Sequence, residues 1–416
     1  MAAIAEPARP STPSFAPKLP LDLASQDFAD HKYEYYSWLR ENAPVCDGKI
    51  SIIKAKVLSR YDDCVAWTKD PRFIRNRTNA TGGSRFPIPL PKSVALVAES
   101  MITSDDPQHK RLRGLVNQAF KPHAIAQLEE QVEELTHRLL DEAEGKGEVD
   151  LLEAYGVPIP TTIIQRMMGV RDAHIPAFRG AIKSLTEGFN GLRALKTLFW
   201  DMPGTVRLMR EIVQAKRSNP GDDILTGLIH ADEEGDRLSE DEIVAMCFLL
   251  IIAGYETTSH LINNAVLTLL QHPDQLERLR ADPSLLPTAV EEVQRFCGPI
   301  HGSKPGYATE DVEWHGVRIK KGTAVMPLFG AANHDPAAFD APETFDIGRD
   351  PNHHLGFGHG IHFCLGAQLA RLETRVALKN LIQRNPNLRL AVPESQLRRS
   401  PMPGWHRYQS LPVALG

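Results

Sequence analysis

The stretch HHLGFGHGIHFCLGAQLA, residues 353–370, places one cysteine where a glycine-rich loop meets a mostly apolar segment. The apolar segment predicts a helix from Leu365 to about Arg384, so Cys364 lies at the start of that helix. Backbone N–H groups and the positive end of the helix dipole favour the thiolate form of such a cysteine. The glycines before it permit turns and close approach that a Cβ atom would block. The loop therefore predicts a thiolate presented to a large, flat group.

Two other interpretations of this loop stay open on the residues alone. Cys364 is compatible with a buried structural cysteine, since free cysteines are among the most buried residues. The loop is also compatible with a zinc site formed by Cys364 and the neighbouring histidines, His353, His354, His359 and His362. Zinc is the weaker alternative, because no second pair of thiols lies nearby and the spacing does not match structural zinc sites.

The composition is that of an ordinary globular protein. The chain has 416 residues, of which 42% are hydrophobic and 24% charged, enough for a large domain with a substantial core. The net charge of −5 gives no reason to expect a nucleic acid partner. The five cysteines are odd in number and widely scattered, which argues against a disulfide framework and for a reducing compartment. We therefore expect a cytoplasmic protein.

The sequence predicts no membrane anchor. Residues 1–20 are rich in proline and small residues, and without a basic region or a long apolar core they predict a flexible leader, not a signal peptide. The longest apolar run, residues 243–254, is too short to span a bilayer. We expect residues 21–416 to form a single domain.

The order of the predicted elements indicates a mainly α fold with small antiparallel β-sheets, an α+β class. Ser239 and Glu242 match a capping box, and the pattern after them predicts a long central helix that ends at His272. A second helix is predicted for residues 286–296, and residues 76–91 predict an irregular exposed loop. Short strands are predicted for residues 50–54, 57–59, 312–314, 317–319 and 324–328.

Residues 357–366 match the pattern F-G-x-G-x-H-x-C-x-G completely, and this segment resembles the haem-binding loop of the cytochrome P450 family. The resemblance extends from about residue 20 to the C-terminus, through three further motifs in the family's order. It implies the cytochrome P450 fold, with haem b (iron protoporphyrin IX) between the central helix and the helix after the cysteine. It also implies that Cys364 is the axial ligand of the haem iron and that Phe357, Gly358 and Gly366 contact the haem. A thiolate ligand donates electron density to the iron and favours O–O cleavage.

The central helix carries Ala253-Gly254-Tyr255-Glu256-Thr257, which resembles the family pattern A-G-x-[D/E]-T. The resemblance implies that Ala253 contacts the haem and that Gly254 leaves room for dioxygen. It also implies that Thr257 hydrogen-bonds the iron-bound oxygen while Glu256 relays protons to it through water. Such a pair is chemically sensible, because two protons must reach the distal oxygen to release it as water. On the residues alone, Thr257 is equally compatible with a bond back to a helix carbonyl that kinks the helix.

Glu292 and Arg295 are three residues apart on one face of the second predicted helix, so they can pair. The spacing resembles the family's E-x-x-R motif. The resemblance implies a buried pair that holds the segment leading to the cysteine loop and acts in folding, not in catalysis.

His109 and Arg113 lie four residues apart on one face of a predicted helix. Without the resemblance, they are compatible with a basic patch on a solvated helix. The family's H-x-x-x-R motif at this place binds the haem propionates, and the resemblance implies that His362 adds a third donor. Charge-assisted hydrogen bonds suit such carboxylates.

The sequence departs from the family pattern at Gly306, where many bacterial members have a propionate-binding arginine. Lys304 is near this position but out of register. We therefore expect one propionate to be held differently in this chain, by Lys304 or His301.

The family resemblance places the substrate pocket between residues 85–102, 177–200, 299–303 and 402–405 and the central helix before Gly254. Ile102, Leu250, Ile300 and Trp405 are the candidate substrate contacts, and the same regions also contain Phe86, Ile88, Leu90, Phe189 and Phe199. Each is also compatible with plain core, and His301 with a surface histidine. Together the apolar side chains indicate a hydrophobic small molecule such as a terpenoid, steroid, fatty acid or aromatic.

The resemblance implies external electron donors, a ferredoxin and an NAD(P)H-dependent ferredoxin reductase, for a monomeric enzyme that uses O2. The candidate docking residues for an acidic ferredoxin are Lys110, Arg111, His353 and His354. Three functions are compatible with the motifs: a haem-thiolate monooxygenase, a peroxide-using peroxygenase, and a non-catalytic haem carrier or gas sensor. The pair Glu256–Thr257 favours the monooxygenase, because the other two functions need no proton relay to dioxygen.

Overall fold

The longest helix in the computed structural model is Glu240–Gln271, the central helix. Its 32 residues extend about 48 Å. The predicted capping box is confirmed, because Ser239 Oγ accepts from the Glu242 N–H and Glu242 Oε2 accepts from the Ser239 N–H. The structure describes residues 15–50, 53–82, 91–120, 125, 128–178, 180–181, 196–233 and 235–416.

The central helix is long and apolar enough to cross a membrane, but 56% of its most apolar window is buried inside the protein. It packs against Pro158–Met167 and against Ala367–Arg384, which we call the cysteine-loop helix. These three helices belong to the largest hydrophobic core of the described residues. The apolar character of the central helix is what a helix surrounded by other helices requires.

The remaining helices surround this core and complete a mainly α fold, as the sequence predicts. Within the described residues, the other α-helices are Gln26–Asp30, Lys32–Asn42, Tyr61–Lys69, Arg77–Thr81, Lys92–Ala98, Gln108–Ala119, Leu128–Glu144, Met202–Ser218, Ile224–His230, Pro273–Ala281, Leu286–Phe296 and Phe329–Ala332. Short 3₁₀ turns are Met101–Thr103, Asp172–His174, Pro283–Leu285, Gly360–His362 and Glu394–Gln396, and π-helical turns are Leu152–Gly156 and Thr197–Asp201. The helix Leu286–Phe296 has the predicted bounds.

The strands form small sheets at the periphery of the helical core. In chain order they are β1 Leu21–Asp22, β2 Val45–Ile50, β3 Ile53–Leu58, β4 Phe73–Ile74, β5 Glu148–Asp150, β6 Asp232–Glu233, β7 Asp236–Arg237, β8 Gly306–Ala308, β9 Val312–Trp314, β10 Val317–Ile319, β11 Ala324–Pro327, β12 Arg389–Leu390 and β13 Pro412–Ala414. The largest sheet has the order β1-β2-β3-β11-β8-β4, and the others are β10-β9, β12-β13-β5 and β6-β7. The three smaller sheets are antiparallel, whereas the six-stranded sheet is mixed because β1–β2 and β3–β11 are parallel pairs.

Two local predictions in the first hundred residues need correction. The strands predicted at 50–54 and 57–59 fall mainly on one strand, β3, which forms an antiparallel hairpin with β2, so that Val45 pairs with Leu58. The strand β2 was not predicted, because it contains Asp and Gly, which are depleted in strands. Part of the loop predicted at 76–91 is the helix Arg77–Thr81, whose N–H groups are capped by the Asn76 side chain. Residues 83–90 lie outside the described residues.

The end of the predicted leader contacts the folded chain. The ring of Phe15 packs edge-on against Tyr35 with 4.8 Å between ring centroids. Residues 1–14 of the predicted leader lie outside the described residues.

Candidate active site

The cysteine loop is shaped by backbone hydrogen bonds and by glycines in left-handed conformations. The Cys364 N–H donates to the Phe357 carbonyl at 2.9 Å, which closes the loop on itself. Gly358 and Gly360 have φ angles of 73° and 71°, which side-chain-bearing residues rarely adopt. A Cβ at Gly360 would lie 2.7 Å from the Thr68 carbonyl, so the loop also packs closely on the helix Tyr61–Lys69. These contacts fix the position of the thiol.

The thiol of Cys364 is exposed, but desolvation by the protein packed around it raises its pKa. This desolvation outweighs the Gly366 N–H and the charges of Arg113 and Arg371, which lower the pKa. The helix-dipole argument omitted the desolvation, and a thiolate stabilised by the protein alone stays a prediction. A coordinated metal ion deprotonates a thiol outright, so a ligand role for Cys364 does not require a lowered pKa.

The other loop residues predicted to contact a haem surround the thiol. Phe357 is buried, and the guanidinium of Arg371 lies 4.5 Å from the centre of its ring. A Cβ at Gly366 would meet no described atom within 4 Å, so open space lies beside this glycine. The histidines of the zinc alternative point elsewhere, since His359 bonds Thr68 and His354 bonds Glu291. Among the described residues, no group of three or more potential ligands could hold a metal ion.

The central helix opens onto an internal space at the segment with the A-G-x-E-T pattern. Ile252 is 40% exposed and Ala253 is also exposed, although Ile251 and Thr258 beside them are buried. Gly254 also packs closely against a neighbouring helix, and the room that it is predicted to leave for dioxygen stays a prediction. A Cβ there would lie 2.9 Å from Ile164 Cδ1, so this glycine allows close packing against Pro158–Met167. The side-chain direction of residue 254 therefore faces a neighbouring helix.

Both polar side chains of the predicted proton relay have protein partners. The Thr257 hydroxyl donates to the Ala253 carbonyl at 2.5 Å, which is the alternative left open by the sequence. The Glu256 carboxylate forms an ion pair with Arg407, and each side chain is less than one-fifth exposed. The guanidinium of Arg407 also lies over Trp405, 5.4 Å from its ring centre. The sequence did not identify Arg407 as the partner of Glu256, because a half-buried carboxylate implies a nearby cation but not which residue provides it.

Imidazole and guanidinium groups converge beside the loop, as the H-x-x-x-R pattern implies. The side chain of His109 is buried, and its ring centre lies 4.3 Å from that of His362. The Arg113 Nη1 donates to the Phe363 carbonyl at 3.0 Å. Burial lowers the pKa of His362 to about 3, with further lowering from the charges of Arg75, His109, Arg113 and Lys304. His362 is therefore a neutral donor or acceptor at ordinary pH.

His301 does not belong to this cluster, and its predicted roles need correction. Its Nδ1 hydrogen-bonds the Tyr36 hydroxyl at 3.1 Å, and its ring stacks on His406 with 4.7 Å between centroids. The side chain is 3% exposed, and burial lowers its pKa well below the ordinary value. His301 is thus a buried residue packed against the helix Lys32–Asn42 and His406, and it is neither a surface histidine nor a propionate donor.

Glu292 and Arg295 form a fully buried pair at 2.7 Å. Arg295 also donates to three backbone carbonyls, those of Asn333, Pro342 and Thr344. Glu292 accepts in addition from the Asp346 N–H and from the side chains of Arg349 and Asn352. Each charge is therefore neutralised by the other and hydrogen-bonded to residues 333–352, the segment that leads to the cysteine loop.

Two of the candidate substrate residues are brought together by the fold. Ile300 and Trp405 form an antiparallel bridge, and both are partly buried. Leu250 and Ile102 are also partly buried, on the central helix and on the turn Met101–Thr103 that packs against it. Phe199, in contrast, is 54% exposed on the turn Thr197–Asp201. The other aromatic and aliphatic residues of these regions, Phe86, Ile88, Leu90 and Phe189, lie outside the described residues.

The site fits haem b by shape and by chemistry. The cysteine loop exposes 41% of Phe363 beside Cys364, and the central helix exposes Ile252 and Ala253. A flat apolar group between them would cover surfaces that water otherwise contacts. The donors His109 and Arg113 lie at one side, where charge-assisted bonds to the two carboxylates of such a group can form.

Comparisons with known proteins agree with this fit. A family model described as Cytochrome P450 matches residues 193–403. Cytochrome P450 107B1 of Saccharopolyspora erythraea is 39% identical over 381 residues, 90% of this chain and 93% of that protein. Cytochrome P450 monooxygenase PikC of Streptomyces venezuelae is 36% identical over 406 residues, 97% of this chain and 95% of that protein. The solved structure of cytochrome P450 PksS from the bacillaene polyketide synthase of Bacillus subtilis 168 superposes with a TM-score of 0.88 at 34% identity, covering 95% of this chain and 99% of that chain.

The molecule is thus an oxygen-incorporating oxidoreductase of the haem-thiolate class. The chain belongs to the cytochrome P450 family and uses haem b as its cofactor.

Proposed function

We propose that this enzyme inserts one oxygen atom from O2 into a hydrophobic small molecule, by hydroxylation or epoxidation, with electrons from a ferredoxin and its NAD(P)H-dependent reductase. The observation that carries the proposal is the acid–alcohol pair Glu256–Thr257 on the stretch of central helix that opens onto the internal space. The apolar residues Ile252, Ile300 and Phe363 near this space support an apolar substrate.

The cysteine loop and the His109 cluster hold the cofactor in this proposal. Cys364 would ligate the haem iron through its sulfur, and His109, Arg113 and His362 would bind the propionates. When bound, the haem supplies dioxygen binding, its reductive activation and the transfer of one oxygen atom to the substrate. Ala253 and the loop residues Phe357, Gly358 and Gly366 exclude water from the two faces of the haem.

The chain's own contribution to the chemistry is proton supply. Thr257 Oγ1 has one proton, which it donates to the Ala253 carbonyl at 2.5 Å, and a rotation about its side-chain bond redirects this hydroxyl. The Glu256 carboxylate is held in an ion pair with Arg407, so it is free to contact water in the site only when that pair opens. In this proposal Arg407 therefore controls when Glu256 joins the proton relay.

Thr257→Ala tests the proposed function. With ferredoxin, reductase and NAD(P)H, the variant is expected to keep consuming NAD(P)H while product formed per NAD(P)H falls roughly tenfold or more, because the hydroxyl no longer directs protons. Product and NAD(P)H are measured together by chromatography and absorbance, with a panel of apolar substrates chosen by their shift of the haem Soret band.

Thr258→Ala is the matched control, since Thr258 is the adjacent residue and is buried on another face of the same helix. It is expected to keep the wild-type ratio of product to NAD(P)H. A wild-type protein that makes product only with added peroxide would identify a peroxygenase instead. Binding of haem without turnover under either condition would identify a carrier or sensor.

Fewer of the candidate ferredoxin-docking residues can contribute a charge to docking than the sequence suggests. Arg111 forms ion pairs with Asp236 and Glu242, both at 2.6 Å, and is largely neutralised within the protein. The side chain of His354 is 3% exposed and bonds Glu291. Lys110 and His353 remain exposed. We therefore assign the electrostatic part of docking mainly to Lys110.

Lys110→Glu is expected to lower the second-order rate constant for reduction by an acidic ferredoxin about tenfold at low ionic strength, because it reverses the sign of a docking charge. The difference from wild type should shrink as salt is added, since exposed charges are screened. Stopped-flow spectroscopy of the haem measures the rate constant and its dependence on salt concentration. Lys146→Glu, an exposed lysine on the turn before β5, is the control and should leave the rate within about twofold of wild type. Equal rates and salt slopes for Lys110→Glu and wild type would contradict this assignment.

A further inference from the structure

We propose that Arg75 binds one haem propionate in this chain, in place of the arginine that many bacterial members of the family have where this chain has Gly306. The inference rests on the proposed haem site and adds a residue to it. Four observations carry it: the register of two strands, the packing of Trp67, the surroundings of the guanidinium, and the link from Arg75 through Asp105 to His109.

Arg75 and Gly306 are cross-strand neighbours. The strands β4 and β8 are antiparallel, with Phe73 opposite Ala308 and Ile74 opposite Tyr307. Continuing this register by one residue sets Arg75 opposite Gly306. Directly opposed residues in antiparallel strands have Cβ atoms only about 5 Å apart, well within the length of an arginine side chain. A guanidinium at position 75 can therefore reach the region that an arginine at position 306 would serve.

Trp67 fills the space that a side chain at position 306 would need. A Cβ at Gly306 would lie 2.7 Å from Trp67 Cζ2, a distance that real Cβ atoms do not show. The indole is 4% exposed and belongs to the hydrophobic core under the sheet. The guanidinium of Arg75 lies over the same indole, 4.9 Å from the ring centre. The Trp67 ring thus leaves no room for an arginine at position 306, and it stabilises the Arg75 guanidinium that we propose in its place.

The guanidinium of Arg75 is partly buried, and no carboxylate is bonded to it in the described structure. It donates to two neutral oxygens, the Ser303 hydroxyl at 3.0 Å and the Lys304 carbonyl. Desolvation by the surrounding protein lowers the pKa of Arg75 to about 10, and Asp105 acts in the opposite direction. The oxygens of Asp105 accept from the backbone N–H groups of Arg75 and Asn76, at 2.6 and 2.8 Å. A partly buried guanidinium with spare donors can bind an anion, because desolvation of a charge is costly unless the charge is paired.

Arg75 is joined to the proposed propionate cluster through Asp105. The side chain of Asp105 accepts from the Arg75 N–H at 2.6 Å, and its backbone carbonyl accepts from the His109 N–H at 2.8 Å. Arg75 is therefore held next to the first turn of the helix that contains His109 and Arg113. Lys304, which the sequence offered as the replacement, contributes its backbone carbonyl to orient Arg75. The resulting group of donors matches two carboxylates at one edge of a flat ligand.

The test measures haem loss in Arg75→Ala with two forms of the cofactor, haem b and its dimethyl ester, in which both propionates are esterified. Each protein is loaded with one form, and transfer to excess haem-free globin is followed by absorbance. With haem b, the variant is expected to lose its cofactor about ten- to hundredfold faster than wild type, because a hydrogen-bonded ion pair is removed. With the dimethyl ester, the two proteins should lose it at rates within about twofold, since the ester has no charge for Arg75 to bind.

Two comparisons make the outcome decisive. Arg72→Ala removes an exposed arginine paired with Asp70 just before β4, and it should leave both rates near wild type. Arg75→Lys keeps a positive charge and should lie between wild type and Arg75→Ala with haem b. If Arg75→Ala accelerates the loss of haem b and of the ester equally, Arg75 has a packing role and the inference is overturned. The inference is also overturned if the variant loses haem b no faster than wild type. Failure of the wild-type protein to bind haem would instead refute the proposed haem site itself.

Discussion

Cys364→Ser is expected to abolish the long-wavelength absorption band that the reduced wild-type protein should show under carbon monoxide. The band depends on an anionic sulfur ligand, and a serine hydroxyl neither ionises as readily nor donates as much electron density to iron. Product formation should fall at least about 100-fold, because even the loss of groups that only orient a metal ligand costs up to that much. Carbon monoxide difference spectra and the turnover assay measure the two effects.

Cys46→Ser is the matched control for this substitution. Cys46 is buried on β2, and burial raises the pKa of its thiol to about 12, so it is an unreactive structural cysteine. This variant should keep the long-wavelength band, whatever its effect on stability. A spectrum of Cys364→Ser that equals the wild-type spectrum would remove the thiolate ligand from the site, and with it the proposed chemistry.

Arg295→Ala is expected to lower the free energy of unfolding by about 3–5 kcal/mol, because it leaves the Glu292 carboxylate buried without its closest cation. The same substitution removes the donors to three backbone carbonyls of the segment before the cysteine loop. Urea unfolding of the haem-loaded protein, followed by circular dichroism and by the haem band at one haem concentration, measures the loss. The haem band should disappear at lower urea than in wild type.

Arg278→Ala gives the comparison for an exposed pair of the same kind. Arg278 and Asp346 lie 2.8 Å apart with 46% and 42% of their side chains exposed. Water screens this pair, so its removal should cost at most about 1 kcal/mol. If Arg295→Ala lowers the free energy of unfolding no more than Arg278→Ala does, the buried pair does not stabilise the segment before the cysteine loop.

Local rules predicted those parts of the fold that depend on neighbours in the sequence. Ser239 and Glu242 define the start of the central helix because both bonds of a capping box join residues three apart. The helix Leu286–Phe296 and the hairpin β9–β10 follow from apolar periodicity and from turn residues for the same reason. The strand β2 was not predicted, because its sequence contains Asp and Gly and does not alternate between apolar and polar residues.

The partners within the candidate site could not be predicted, because they come from distant parts of the chain. Glu256 and Arg407 are 151 residues apart, and Arg75 and Ser303 are 228 residues apart. A half-buried charge in a sequence implies that some partner exists, but only the tertiary fold selects it. The acidity of Cys364 is hard to predict for a related reason, since the helix dipole is local whereas desolvation depends on everything packed around the thiol.

The contacts of Arg295 have a consequence for how this enzyme can change during evolution. Its donors reach the main-chain oxygens of Asn333, Pro342 and Thr344, and every residue type provides such an oxygen. Side chains at positions 342 and 344 can therefore be exchanged freely as long as the path of the backbone is kept. Selection at these two positions acts on chain geometry and leaves residue identity open to drift.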